Sequence, residues 1–568
     1  MSTKSPRHHA LEGVTPLPPE VIARYRKQGA LPSISLGQAL HEAALRCASN
    51  VALVTPDTRL SYRELDGISD KVAALLLNMG LQPGDRAMFQ IGNVAEIFYL
   101  LYGCFKSGVV PVCTLAAHRQ SEIGCLADMA AAKAHFIQAD LPKFDALAFA
   151  LEMREKVPSL EHILAVRMTV EHQQDDGVVC LESSLEQIDA KSARRAIEAL
   201  DIGPDDVVAF QLSGGTTGIP KIIPRFHAEY VHNSECYGAC ARYTQDSVGY
   251  WPLPAIHNAA MVQFNLPIHL TGGTVVVQMS HKTEDFLGMI EREKVTHSGA
   301  ALPLIVRAVE SGAIDDFDLS SVIDFVSLGE GELVSKGMRL PSNHIFGMAE
   351  GLCMRTRMED PDEVRRGMIG RPISPFDEVR IVDPETGEEL PLGDTGEFWA
   401  RGPYTTRGYY QADAHNSEKF SAEGFYKSGD LMRAHQIGGE VYYSFEGRLK
   451  DNIDRGMEKI NAEELERAII EHENVREVFC VGMPDREYGE KVCAYIIPVN
   501  RAQGPSLPLL GSFLQSQGVA KFKWPERIEL VETFPSTKVG KTSKALLVKD
   551  VTNKLVQEGQ LDASYLTG

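Results

Sequence analysis

At 568 residues, with 44% apolar content, 48 glycines and 30 prolines, the chain is too long for one hydrophobic core and has the make-up of a soluble α/β enzyme of two or more domains. Its 57 basic against 77 acidic residues leave a formal net charge of −20, which argues against nucleic acid and anionic membranes as partners. The ten cysteines form no C-x-x-C or zinc-like spacing; together with residues 1–10, which lack the apolar stretch of a signal peptide, they suit a reducing cytoplasm. The most apolar run, 97–113, is interrupted by Gly103, Lys106 and Gly108 and is too short to span a bilayer.

In chain order, residues 16–29 read as a proline-led cap and a short helix, and 35–48 as a helix. A capping-box pattern, Ser61 to Glu64, opens an amphipathic helix that ends near Gly80. Residues 86–91 read as a strand, 95–107 as a helix ending at Gly108, and 109–115 as a strand. Strands follow at 134–137 and 160–166. This alternation signals a mostly parallel sheet with helices on its faces. Residues 182–200 read as one polar helical linker, followed by a buried strand at 207–212.

That strand runs into LSGGTTGIPK at 212–221, which holds three glycines, three hydroxyl residues and a lysine. Gly214 and Gly215 allow backbone N–H groups to approach an anion. Ser213, Thr216 and Thr217 donate hydrogen bonds, and Lys221 adds a positive charge. The stretch suits a polyphosphate but is not a Walker A loop, whose spacing it lacks; at Gly540-Lys541-Thr542, Pro535 stands where the first glycine belongs. A P-loop ATPase or kinase is therefore disfavoured.

Further on, 273–278 reads as a strand and 286–293 as a helix. Strands at 298–302, 325–328 and 345–346 point to loops at Pro303, 329–331 and 347–351, where ligands gather in open α/β sheets. From residue 379 short strands at 379–382, 396–401, 425–427 and 440–445, separated by Gly, Pro and Asp, predict an antiparallel region. From about 450 the pattern returns to helix and strand (helices at 462–472 and 507–517, strands at 475–483, 492–498 and 527–531), as a small separate α/β domain. Glu350, after a strand and a glycine, is placed to hold Mg²⁺ against phosphate oxygens. Asp430 is read as ending a strand, placed to accept ribose hydroxyls. Lys541 lies on a glycine-bearing loop. Each of these three has a plainer reading: a solvated loop acid, a turn aspartate, a solvated lysine.

Together these stretches, in this order, resemble the acyl-adenylate-forming superfamily of acyl-CoA synthetases, peptide-synthetase adenylation domains and luciferases, over nearly the whole chain. Residues 213–221 resemble its phosphate loop, 346–351 (Phe346, Gly347, Met348, Ala349, Glu350, Gly351) its aromatic–Gly–x–x–Glu motif, and 426–430 and 447–451 its ribose and hinge motifs. Within it the aryl-acid group, the 2,3-dihydroxybenzoate– and salicylate–AMP ligases, is the nearest likeness. That likeness rests on 13–16, 118–122, 223–225, His257-Asn258, 346–352 and 455–459.

The resemblance implies a large domain over 1–449, with parallel α/β sheets and a β-rich subdomain, and a small mobile α/β domain over 450–568 turning about Lys450. It implies an aromatic carboxylic acid and ATP as substrates and Mg²⁺ at Glu350 and Thr217. The acceptor would be a pantetheine thiol, on a carrier protein or coenzyme A, and the chain would be a monomer or homodimer. In the first half-reaction Lys541 would bridge carboxylate and α-phosphate. Thr216, Thr217 and Lys221 would hold the β- and γ-phosphates, with Gly329 on the nucleotide side, and Asp430 and Arg448 would fix the ribose. His257 would gate the carboxylate, Asn258 would contact an ortho-hydroxyl, and His227 and His232 would be structural. In the second half-reaction the small domain would withdraw Lys541 and present the 456–459 loop. The chain departs from the aryl-acid group at Ala259, where an aromatic residue is usual, at Gln263, where Ser or Cys is usual, and at Gly329-Glu330-Gly331. These changes put 2,3-dihydroxybenzoate itself in question and leave a salicylate analogue, an amino-substituted benzoate or a heteroaromatic hydroxy acid open. The competing readings are a binding or regulatory protein on an inactive scaffold and an oxidative luciferase-type enzyme.

Overall fold

The computed structural model describes residues 11–168, 177–213, 220–328, 331–449, 452–456, 458–499, 504–534, 544–562 and 565. Among them four sheets form. In the first, of seven strands, Val178–Cys180, His162–Val166, Ala134–Gln138, Arg86–Gln90, Val110–Val112 and Val207–Leu212 run parallel, and Ile222–Phe226 closes the edge antiparallel. In the second, of nine strands, six are parallel neighbours from Ser342–Gly347 across to Val51–Val54, flanked by antiparallel edges. A four-stranded antiparallel sheet follows over 378–448, and a five-stranded sheet in the C-terminal part.

Helices cover the parallel sheets, as the strand–helix alternation requires. The helix Tyr62–Asn78 starts with the expected capping box: Ser61 Oγ accepts from the Glu64 N–H, and the Glu64 carboxylate accepts from the Ser61 N–H. It packs on Ala95–Ser107, where Gly103 is required because a Cβ would come within 2.3 Å of Val72. Lys106, which interrupts the apolar run, is buried and satisfied by Asp66 and Asp70, each at 2.6 Å. A buried cation is tolerated only with such partners.

Several expectations are corrected. The linker at 182–200 is two helices, Leu181–Glu186 and Ala190–Glu198, because Asp189 breaks the first and caps the second through the Ser192 N–H. The strand expected at 298–302 is His297–Gly299; Leu302 instead opens the helix Leu302–Ser311, with Pro303 in its first turn, where no N–H is needed. The strand expected at 109–115 is Val110–Val112. Asp430 does not end a strand: Tyr426–Ile437 continues past it, held along its length by Glu440–Arg448. No helix among the described residues is long and apolar enough to cross a membrane.

Candidate active site

The glycine-rich stretch joins two antiparallel strands, Val207–Leu212 and Ile222–Phe226, and not a strand and a helix. Its neck is clasped at both ends. The Ser213 N–H donates to the Lys221 carbonyl at 2.9 Å, and the Lys221 N–H donates to Ser213 Oγ at 3.0 Å. Gly214, Gly215, Thr216 and Thr217 lie outside the described residues, as do Gly329, Glu330, Lys450 and Lys541.

The 346–351 motif leaves the C-terminal end of Ser342–Gly347 in a turn closed by the Gly351 N–H on the Met348 carbonyl at 3.0 Å. Gly351 sits at φ +141°, and a Cβ there would lie 2.2 Å from the Tyr404 carbonyl oxygen, so only glycine fits. The turn aims Glu350 inward. Its carboxylate is buried and accepts a hydrogen bond from the Tyr409 hydroxyl at 2.7 Å; that hydroxyl lies 2.9 Å from the Tyr426 hydroxyl. A solvated loop acid this is not. Asp430 is also buried and stands opposite Arg448 in the strand pair. The side chain of Arg448 is outside the described residues.

A cavity of about 580 Å³ lies between these pieces. It brings together Ser213, His257, Asn258, Ala259, Gln263 and all six residues from Phe346 to Gly351. Lys221, Asp430 and Gly331 are not on its wall. Gly331 packs elsewhere: a Cβ on it would come within 2.3 Å of His344 Nε2. His257 is held neutral, pushed down to about 4 by burial and then by the nearby Lys459 cation. Asn258 is oriented by Tyr230, whose hydroxyl donates to Asn258 Oδ1 at 3.2 Å. His227 and His232 bear out their structural reading: His227 Nδ1 accepts the Leu36 N–H at 3.1 Å, and His232 Nε2 lies 3.0 Å from Ser374 Oγ.

The far wall comes from the C-terminal domain. The hairpin of Asn452–Arg455 and Glu458–Asn461 points its turn at the cavity, with Gly456, Glu458 and Lys459 on the wall. Gly456, at φ +68°, donates its N–H to the Tyr488 carbonyl at 2.7 Å, and Arg455 pairs with Glu526 at 2.6 Å. Below the hairpin, Lys523 is 6% exposed and pairs with Glu464 at 2.8 Å in its own domain and with Glu122 at 3.4 Å in the large one. Burial alone would lower the Lys523 pKa; the two carboxylates outweigh it and raise it. Burial pushes His118, beside Glu122, down to about 4.

Sequence reasoning missed Tyr409, Gln211, Cys353 and Lys523 on or behind this wall. Gln211 carried a signal, as the polar residue in an otherwise apolar strand. Cys353 and Tyr409 carried none, because their roles arise from contacts across 90 and 59 residues.

Two α/β sheets, a clasped glycine-rich loop and a cavity closed by a second domain define a nucleotide-dependent enzyme. Residues 40–410 match the AMP-binding enzyme family and residues 464–541 the AMP-binding enzyme C-terminal domain. The chain is 35% identical over 554 residues to the 2,3-dihydroxybenzoate-AMP ligase of Bacillus subtilis, covering 96% of this chain and 99% of that one. It is 36% identical over 551 residues to a salicylyl-CoA synthase / salicylate adenylyltransferase of a Streptomyces species, covering 96% and 98%. The apo structure of MbtA from Mycobacterium smegmatis superposes with a TM-score of 0.69 at 32% identity, over 94% of this chain and 98% of that one. The chain belongs to the AMP-binding enzyme family, and it is an AMP-forming ligase.

Proposed function

We propose that the enzyme activates an aromatic carboxylic acid, with an ortho substituent read by Asn258, as its adenylate and then passes the aryl group to a pantetheine thiol. The observation that carries this reading is the shared cavity. One wall holds the oriented Asn258 beside neutral His257, the other the buried Glu350 at the end of the phosphate side. The likeness to aryl-acid ligases and to a salicylyl-CoA synthase supports the substrate class. It leaves the acceptor as a carrier-protein phosphopantetheine, with coenzyme A as the alternative.

In the first step a carboxylate oxygen attacks the α-phosphorus of ATP and pyrophosphate leaves. The carboxylate is already a nucleophile, so the chain's task is alignment and charge neutralisation. Lys541 would bridge the carboxylate and the α-phosphate, the 213–221 loop with Thr216, Thr217 and Lys221 would hold the departing phosphates, and Asp430 and Arg448 the ribose. Mg²⁺ fits a site of this kind, because it binds through one or two carboxylates plus phosphate oxygens, and Glu350 presents one buried carboxylate on the cavity that Ser213 and Pro220 also line. Glu350 and Thr217 would hold it, and it would neutralise charge on pyrophosphate. Neutral His257 does not compete as a cation and leaves the substrate carboxylate free to meet Lys541.

In the second step the thiol sulfur attacks the adenylate carbonyl carbon and AMP leaves with the bonding pair, the thiol proton passing to solvent. Gly456, Glu458 and Lys459 on the cavity wall support an arrangement suited to this step. We take the domain boundary at 449/450, between the antiparallel sheet and the C-terminal hairpin, with Lys450 as hinge, and the cytoplasm as the working compartment. ATP–pyrophosphate exchange with a panel of aryl acids tests the reading. Acid-dependent exchange is expected, followed by thioester formation on a phosphopantetheinyl carrier protein or coenzyme A. Absence of exchange with every aryl acid overturns it.

A further inference from the structure

One short segment of the C-terminal domain, residues 518–526, touches both the large domain and the hairpin at the cavity. It follows the helix Leu507–Ser516, turns at Gly518 with φ +74°, and passes through the 3₁₀ turn Lys521–Lys523. The Lys523 N–H donates to the Ala520 carbonyl at 3.0 Å, and Trp524 Nε1 donates back to the Val519 carbonyl at 2.9 Å. These internal bonds hold the contacts at its two ends at a fixed spacing.

At one end the segment sits on the start of the large-domain helix Gln120–Met129. Ser121 Oγ donates to the Gly518 carbonyl at 2.8 Å, and Lys523 pairs with Glu122 at 3.4 Å. Glu122 is itself fixed, because its carboxylate accepts the Arg119 N–H at 3.1 Å. Both side chains of the pair are buried, so the loss of either partner leaves a poorly compensated charge. At the other end Glu526 holds the hairpin. One carboxylate oxygen pairs with Arg455 at 2.6 Å, and the other accepts the Val492 N–H at 2.9 Å. Arg455 ends the strand Asn452–Arg455 and stands opposite Glu458, at the foot of the turn whose Gly456, Glu458 and Lys459 line the cavity.

We propose that Glu122 and Lys523 are positioning residues for thioester formation: their pair, with the Ser121–Gly518 hydrogen bond, docks segment 518–526 on the large domain, and the segment, through Glu526 and Arg455, seats the hairpin against the cavity. The inference rests on the two-step reading and deepens its second step. Aryl-AMP formation, which in that reading uses Lys541 from another arrangement of the same domain, does not draw on this contact. A contact made in one arrangement alone favours that arrangement by its own strength.

The test separates the half-reactions of the full-length enzyme, with 2-hydroxybenzoate or the aryl acid that exchanges fastest. ATP–pyrophosphate exchange reads the first. Single-turnover discharge of enzyme-bound aryl-AMP reads the second, with coenzyme A and a phosphopantetheinylated aryl carrier protein in separate arms. Lys523→Met and Glu122→Gln should slow discharge by about tenfold or more and leave exchange within about twofold, on the scale of one partner lost from a hydrogen-bonded charge pair. Ser121→Ala leaves every buried charge paired, serves if the other two fail to fold, and should slow discharge by about twofold to tenfold. Lys523→Arg, which keeps the cation, should recover most of the rate. A merely structural pair would lower both half-reactions together. Direct contact with the acceptor would raise the thiol concentration for half-maximal discharge at an unchanged limiting rate. Either result, or unaltered discharge in all variants, overturns the inference and leaves the aryl-acid reading standing. Exchange with no aryl acid by the unaltered enzyme removes that reading itself, and exchange without discharge in either arm removes its second step.

Discussion

Arg225 donates to the Ala349 carbonyl oxygen at 2.7 Å, tying the strand that leaves the glycine-rich loop to the turn that carries Glu350. The same guanidinium donates to the Tyr404 carbonyl at 2.7 Å and faces Glu229 at 3.4 Å, with Arg225 only 1% exposed. Two segments 124 residues apart are thereby tied together, by a residue that is not on the cavity wall.

Replacing Arg225 with Ala should therefore strip two buried carbonyls and the buried Glu229 of their partner. Removing one member of a buried pair costs about 3–5 kcal/mol. The expected outcome is a large loss of stability in denaturant titration. Arg225→Lys, which cannot form the fork, should fold better but still lower the exchange rate. An Arg225→Lys enzyme with unaltered kinetics would show that the tie is not needed.

Tyr409→Phe removes the hydroxyl that donates to Glu350 and leaves the ring in place. Loss of one hydrogen bond to a charged group is worth about 1.5–3 kcal/mol. If Glu350 holds Mg²⁺, the Mg²⁺ concentration for half-maximal exchange should rise by about tenfold or more, with a smaller effect on the KM for the aryl acid. An equal effect on both would assign Tyr409 to general packing.

Lys541→Ala should lower aryl-AMP formation by roughly a hundredfold or more, the scale of losing a group aimed at transition-state charge. Thioester formation from supplied aryl-AMP should be spared, and quenched-flow measurement of both half-reactions separates the two. Comparable loss in both would remove the bridging role.

Acid should destabilise the protein over a defined window. Burial holds His227 down to about 3 and His232, His135 and His269 each to about 4, below the unfolded value of about 6.5. These rings bind protons in the unfolded chain first, so their contribution is full above about pH 6.5 and is lost as pH falls toward about 4. The thermal midpoint should drop across that window, and His227→Asn should shrink the drop. A midpoint flat from pH 6.5 to 4 contradicts the buried neutral histidines.

Local patterns explain what the sequence disclosed. The capping box at Ser61, the helix stop at Gly108 and the strand Val207–Leu212 each follow from a handful of adjacent residues, and all three lie where expected. The motif at 346–351 reaches the cavity for the same reason. Features set by distant contacts were not legible. Ile222–Phe226 carries Pro224 and reads poorly as a strand, yet its place at the sheet edge makes the proline harmless. The π-helical turn at Ala260–Asn265 has no pattern of its own in an apolar stretch. Asp430 reads as a strand end, but Gly429 accommodates φ +79° and the strand continues.

The Lys523 contacts are unequal in length, and the inequality has a direction. The 2.8 Å partner, Glu464, belongs to the same domain as the lysine, and the 3.4 Å partner, Glu122, belongs to the other. In the movement proposed to link the two steps, the C-terminal domain would carry the lysine's nearer counter-ion with it and break the longer pair. Glu122 is left with the Arg119 N–H, which already donates to it at 3.1 Å. Neither side would be stranded as a bare charge by the domain movement that the proposed second step calls for; the pair would work like a press stud, its stronger half staying with the part that moves.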